Sequence, residues 1–337
     1  MLTPPDGLPE DVLVSALDRG WQVAVTSMEY LAAGFGSHHW EVTGAPGTRW
    51  FVTADELASK RCSRSEPLSA AFGRLRASLA AACDLRDAGR TFVVAPVPAL
   101  DGEPLARAND QFAVALYPFV HGQSFEWGPV TSPAHRRGLL DLLIAVHTAP
   151  VAASLQARAD DFAIPHRDEL EEALGSAGGG PDCGPYARPV ASLLAGHAAP
   201  ILRLLARYDR LAAASGDWPA RGVLTHGEPH PGNTMLTADG WVLIDWDTAL
   251  VAPPERDLWS LDPGDGSILS AYAGATGVRP LAPMLELYRI RWDLADIAMD
   301  VSRFRRPHLG SLDDDESWEV LRHLVTSLSD RPDEQRR

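Results

Sequence analysis

The alternation of apolar and polar positions divides the chain into a sheet-forming first third and a helix-forming remainder. Residues 10–20 (EDVLVSALDRG) carry apolar positions at helical spacing and stop at Gly20, a residue suited to a helix C-cap. A strand is predicted from Trp21 to Tyr30, then a turn of small residues, Ala33-Gly34-Phe35-Gly36-Ser37. His39–Thr43 and Arg49–Thr53 read as the next two strands, joined by Gly44-Ala45-Pro46-Gly47. The Ala/Leu-rich run 67–88 predicts a helix stopped by Gly89. Phe92–Val97 and Phe112–Phe119 read as buried strands, and the Tyr117-Pro118 step ends the second because proline cannot donate to a ladder.

Beyond that step the spacing turns helical. Leu139, Leu142, Leu143 and Val146 form one stripe within 133–149. A helix is predicted over 190–213, with Pro200 expected to kink it. Further helices are predicted over 284–304 and 313–328, and 175–185 (GSAGGGPDCGP) reads as a flexible loop. Two short strands, Val223–His226 and Trp241–Asp245, flank the densest run of polar residues. No internal repeat interrupts this order. A small sheet followed by a larger helical region predicts an α+β, two-lobed protein, with lobes at 1–116 and 117–337.

Composition narrows the partners. With 337 residues, 45% hydrophobic and 22% charged, the chain has the make-up of an ordinary globular protein. Its net charge of −15 disfavours nucleic acid, whose phosphates need Lys and Arg, and favours cationic small molecules in an acidic cleft. Cys62, Cys83 and Cys183 are odd in number and show no metal spacing, which suggests reduced thiols. The N-terminal stretch lacks a basic region followed by an apolar one, and no uncharged apolar run approaches ~20 residues. The expectation is a cytoplasmic protein with no membrane partner.

The chemistry concentrates in 224–247, LTHGEPHPGNTMLTADGWVLIDWD. His226, Glu228 and Asn233 fit the spacing H-x-acid-x-x-x-x-N of kinase catalytic loops, in which the acid accepts a hydroxyl proton and the Asn holds magnesium. Asp245, at the end of an apolar strand, offers the hard oxygen that magnesium prefers, and Asp247 could face the same cleft. Each residue alone has an ordinary structural explanation. Together, in order and between two apolar strands, they mark a site for phosphoryl transfer.

HGEPHPGN followed by VLIDWD resembles the aminoglycoside phosphotransferase family of small-molecule kinases, and the tail YRIRWDLADIAMDV is similar to its spectinomycin-kinase branch. The resemblance implies a protein-kinase-like fold, magnesium, and ATP or GTP as donor. It implies a small-molecule hydroxyl as acceptor, with antibiotic resistance or self-resistance as the outcome. It places Gly34, Gly36 and Ser37 over the phosphates, and Leu116, Tyr117 and Phe119 along the purine. Arg256-Asp257-Leu258 corresponds to an acidic step that braces the catalytic loop. Asp247, Trp292, Asp293 and Asp296 become candidates to line the acceptor, although the stripe Leu287, Ile290, Leu294, Ile297 also suits Trp292 to the core.

Three departures stand out. The acid is Glu228 where the family has Asp. Thr53 stands where a strand lysine should grip phosphate. The following helix lacks the Glu that would pair with that lysine. Lys60, the only lysine in the chain, and Arg74 or Arg76 are the candidate replacements. Three functions follow: a kinase for an aminocyclitol or aminoglycoside, a kinase for a nucleoside-type antibiotic or a metabolite such as an amino alcohol or sugar, and a nucleotide-binding pseudokinase.

Overall fold

The structure, a computed structural model, describes residues 1–149, 157–176, 183–216 and 218–330. Most of the loop predicted at 175–185 therefore lies outside the described residues.

Helix α1 (Glu10–Trp21) precedes strands β1 (Val25–Leu31), β2 (His38–Gly44) and β3 (Thr48–Glu56). Gly20 is a buried helical residue rather than the cap. Gln22, at φ 55°, takes the left-handed cap, and the strand starts only at Val25. Helix α2 (Leu68–Asp87) leads to β4 (Ala106–Arg107) and β5 (Phe112–Pro118), completing an antiparallel five-stranded sheet in the order β1-β2-β3-β5-β4. One face buries Trp40, Val42, Val52, Ala54, Val114 and Leu116 against Leu13 and Leu17 of α1. Because side chains alternate across a strand, the other face carries His39, Phe51, Thr53, Asp55, Ala115 and Tyr117, in register across β2, β3 and β5.

Phe92–Val97 is not a strand. It makes a single parallel bridge, Val93 to Leu243, in a segment where Pro96 and Pro98 lack the N–H groups a ladder needs.

Strand β6 (Gln123–Ser124) and helix α3 (Pro133–His147) follow. Ser132 accepts the His135 N–H at the start of α3, and the predicted leucine stripe is buried. Helices α4 (Arg167–Gly175) and α5 (Ala187–Ala213) come next. The kink expected from Pro200 appears at His197 (φ −123°, ψ 15°), one turn earlier, where the proline ring would crowd the helix. By length and composition α5 could cross a bilayer (mean hydropathy 1.4), but Val190, Leu194, Ile201, Leu205 and Tyr208 join a core with α8 (Ala282–Phe304) and α9 (Leu312–Asp330).

Between them lie β7 (Val223–Thr225), β8 (Thr234–Thr237), β9 (Gly240–Leu243), β10 (Leu250–Ala252) and the short helices α6 (Glu255–Leu258) and α7 (Ser267–Thr276). β7 pairs with β10, and β8 lies between β6 and β9. This arrangement leaves 226–233 as a loop between β7 and β8 and sets 244–249 immediately after β9.

Candidate active site

The loop after β7 is held by a buried carboxylate. Asp257 accepts the N–H groups of His226 at 2.8 Å and Gly227 at 2.7 Å, and His147 Nε2 lies 3.0 Å away. His147 in turn meets the Tyr272 hydroxyl at 2.9 Å. Burial opposes the charge on Asp257, but the His147 hydrogen bond and the charges around it outweigh burial and hold its carboxyl below the usual range. The bracing role expected of this step thus has a geometry, and His147 is a partner the sequence did not single out.

Gly227 sits at φ +102°, and a Cβ there would collide with the Arg256 guanidinium. That guanidinium is tied to Thr225 Oγ1 and to the Thr248 carbonyl. Gly227→Ala is therefore expected to lower stability by about 2 kcal/mol or more through backbone strain, before the collision is counted. Thermal unfolding of the variant checks this.

His226 is fully buried and donates from Nε2 to the Ile244 carbonyl at 2.8 Å, while its Nδ1 faces the Glu228 N–H at 3.3 Å. These contacts select the neutral Nε2–H tautomer. Burial holds the imidazole below its usual value, against the pull of Asp257. His226 thus orders the loop and does not point a titrating group at an acceptor. Asn233 donates from Nδ2 to the Glu228 carbonyl at 3.0 Å, which turns its Oδ1 away from that carbonyl.

Asp245 adopts the left-handed conformation (φ 62°), uncommon outside glycine. Burial first, then the charges of Asp247 and Glu228, drive its carboxyl well above the usual range. Glu228 is itself pushed up to about 7 by burial and by Asp247. This crowding of carboxylates suits a cation. Asn233 Oδ1 and the Asp245 carboxylate are hard oxygen ligands, and magnesium commonly takes one or two protein oxygens and completes its shell with phosphates and water. Among the described residues no group of three or more His, Cys, Asp and Glu could hold a metal alone.

Asp247, expected beside the acceptor, instead meets Lys60 Nζ at 2.7 Å. Burial raises its carboxyl, but Lys60 outweighs burial and holds it low. Lys60 also lies 3.0 Å from Asp55 and 3.2 Å from Ser37 Oγ. Arg74 binds Glu66 and the Lys60 carbonyl, and Arg76 pairs with Glu103 at 2.8 Å, so neither arginine joins this cluster.

Gly34 and Gly36 are both left-handed (φ 68° and 83°), giving a tight turn beside Ser37. Thr53 lies on the sheet face shared with Ala115 and His39. Leu116 is buried toward α1, and its carbonyl accepts the Val97 N–H at 2.7 Å. Tyr117 lies on the Thr53 face, and the Phe119 ring lies under Arg49 at 3.8 Å.

On α8, Asp293 and Asp296 share a face with Asp300, at helical spacings of three and four. Burial, then Glu228, Asp300 and Asp293, drive the Asp296 carboxyl well above its usual range, so this face and Glu228 feel one another. Burial pushes Asp300 up to about 7. Asp300 was missed from the sequence although its spacing from Asp296 carried the signal. Trp292 is half-buried with its ring 5.8 Å from Trp259, while Leu287, Ile290, Leu294 and Ile297 form the buried stripe.

Comparison with known proteins bears on the family and the fold. The model of the phosphotransferase enzyme family matches residues 29–298. Protein StrN of Streptomyces griseus is 32% identical over 292 residues, covering 82% of this chain and 85% of StrN. The spectinomycin phosphotransferase solved with ADP and spectinomycin superposes with a TM-score of 0.67 at 16% identity, over 95% of this chain and 98% of its own. A microcompartment-associated aminopropanol kinase gives 0.58 at 15% identity, over 95% of each chain. These solved structures share this chain's kinase-like fold. The chain belongs to the phosphotransferase enzyme family, the aminoglycoside-phosphotransferase type of small-molecule kinase.

Proposed function

We propose that the protein transfers the γ-phosphate of ATP or GTP, with magnesium, to a hydroxyl of a cationic acceptor of the aminocyclitol or aminoglycoside type. In this reading residues 1–116 hold the nucleotide, and residues 117–337 supply the catalytic loop and the acceptor site. The observation that carries the acceptor class is the acidic face of α8, where the charge of Glu228 bears on Asp296. Carboxylates that repel one another, as Asp296 and Glu228 do, are relieved by a cation, so an acceptor bearing ammonium groups gains most from binding there.

Glu228 would take the hydroxyl proton. A base whose value lies near 7 is matched to work near neutrality. Asn233 and Asp245 would hold magnesium, which supplies charge neutralisation across the phosphates. His226 and Asp257 keep the loop in place. The solved spectinomycin and aminopropanol kinases support an acceptor that is small and carries nitrogen.

Asp296→Asn tests the acceptor class. It is expected to raise KM for a cationic acceptor by about tenfold, the effect of one charge-assisted contact of ~1.4 kcal/mol, with KM for ATP unchanged. Turnover confined to neutral acceptors, or an Asp296→Asn enzyme with an unaltered acceptor KM, would remove the cationic reading. A nucleoside, sugar or amino alcohol acceptor would then take its place.

A further inference from the structure

We propose that Lys60, delivered from the loop after β3, binds the terminal phosphates of the nucleotide, with Asp55 as its fixed carboxylate partner. The proposal rests on the reading of the protein as a nucleotide-dependent kinase and assigns the charge that β3 itself lacks at Thr53.

The ammonium joins three parts of the cleft. It lies 3.2 Å from Ser37 Oγ in the glycine turn, 3.0 Å from Asp55 Oδ1 on β3, and 2.7 Å from Asp247 Oδ2 after β9. An ammonium has three N–H donors, and the carboxylates use two of them. The third faces Ser37 Oγ, the longest of these contacts, and that hydroxyl already donates to Asp55 Oδ1 at 2.6 Å. A phosphate oxygen entering beneath the turn is a charged acceptor and displaces a neutral hydroxyl from such a donor.

The loop that carries Lys60 is built to hold it. Arg74 donates to the Lys60 carbonyl at 2.6 Å and grips Glu66, whose carboxylate accepts the Cys62 N–H at 2.6 Å. Thus α2 spends its ionic pair on the backbone of the loop instead of on the lysine side chain. Asp55, 3% exposed and bonded to both Ser37 and Lys60, stands in for the missing helical Glu. The absence of a strand lysine and the absence of its helical partner therefore have one explanation: both functions have moved, the charge to Lys60 and the counter-charge to Asp55.

Calorimetry on the full chain with magnesium tests this, using adenosine, AMP, ADP and a non-hydrolysable ATP analogue, with the corresponding guanine series in parallel. In Lys60→Met the loss of affinity is expected to grow with the number of phosphates, from under twofold for adenosine to tenfold or more for the ATP analogue. Lys60→Arg recovers most of the loss, and adding Thr53→Lys to Lys60→Met recovers part of it. The unaltered protein gives a second readout through its single ε-amine: the ATP analogue shields Lys60 from reductive methylation, and adenosine does not. Equal losses for every ligand, or equal shielding by adenosine, would show that Lys60 only neutralises Asp55 and Asp247 and would overturn the proposal. An unaltered protein that binds nucleotide, with Lys60→Met binding the ATP analogue equally well, overturns this proposal alone. An unaltered protein that binds no nucleotide overturns the kinase reading with it.

Discussion

Glu228→Gln is expected to lower kcat by about a thousandfold, within the range that a positioned general base contributes, while leaving nucleotide affinity close to normal. The side chain occupies the acid position of the loop, and its backbone is fixed at both ends. Its N–H faces His226 Nδ1 and its carbonyl accepts from Asn233. Neither contact involves the carboxylate, so the Gln variant keeps the loop and loses only the base. Glu228→Asp is the sharper probe. It retracts the carboxylate by one bond, and misplacements of ~1 Å can cost about a hundredfold. A kcat reduced by roughly ten- to a hundredfold would show that the acceptor site is shaped around the longer acid. An unchanged or raised kcat would show that the loop tolerates either. The acid limb of kcat/KM should inflect at or below about 7, since Glu228 must be unprotonated to work and a bound cation can only lower its value from there. Glu228→Gln should abolish that limb.

The second large effect is expected at Asp257. Its carboxylate is fully buried and satisfies the His226 and Gly227 amides and His147 together. Asp257→Ala leaves buried donors without an acceptor, a change that costs about 3–5 kcal/mol in buried ionic networks. In a chain of this size that lowers Tm by roughly 4–7 °C. Activity should fall with it, because the amides being released are those that set the loop carrying Glu228. Asp257→Asn keeps the shape and one acceptor oxygen, so it should lose less stability than the Ala variant. Equal melting of Asp257→Ala and the unaltered protein would show that the brace lies elsewhere.

How much of this was legible in the sequence depended on the range of each interaction. The apolar stripes of α3 and α8 and the strand alternation of β2 and β3 are local, and periodicity finds local features. The 226–233 segment stands out as a candidate because kinase-loop chemistry fixes a spacing. The errors have equally local causes. Phe92–Val97 has the apolar content of a strand, yet Pro96 and Pro98 deny it a ladder, and it pairs at one residue only. Gly20 looked like a cap, but packing continues α1 to Trp21 and leaves the left-handed position to Gln22. What stayed hidden was contact between distant segments. Nothing in the run around His147 announces Asp257, 110 residues on, and nothing in Lys60 announces Asp247. Lys60 could be named as a candidate because it is the only lysine. Only the folded chain chooses it over Arg74 and Arg76, which are committed to Glu66 and Glu103.

The departures from the family pattern also become intelligible as a set. Glu228 carries one more methylene than Asp, and its charge bears on Asp296 of α8. Under the proposed function, a longer base and an acidic helix face suit an acceptor held by its cationic groups, with one hydroxyl directed at Glu228.

The most direct test is phosphate transfer from labelled ATP and GTP, with magnesium, to a panel of aminocyclitols, aminoglycosides, nucleoside antibiotics and amino alcohols, run in parallel with Glu228→Gln. Turnover on a cationic polyol, lost in the variant while nucleotide binding persists, is the predicted result. Magnesium-dependent nucleotide binding with no transfer to any acceptor, or transfer undiminished in Glu228→Gln, would contradict the account.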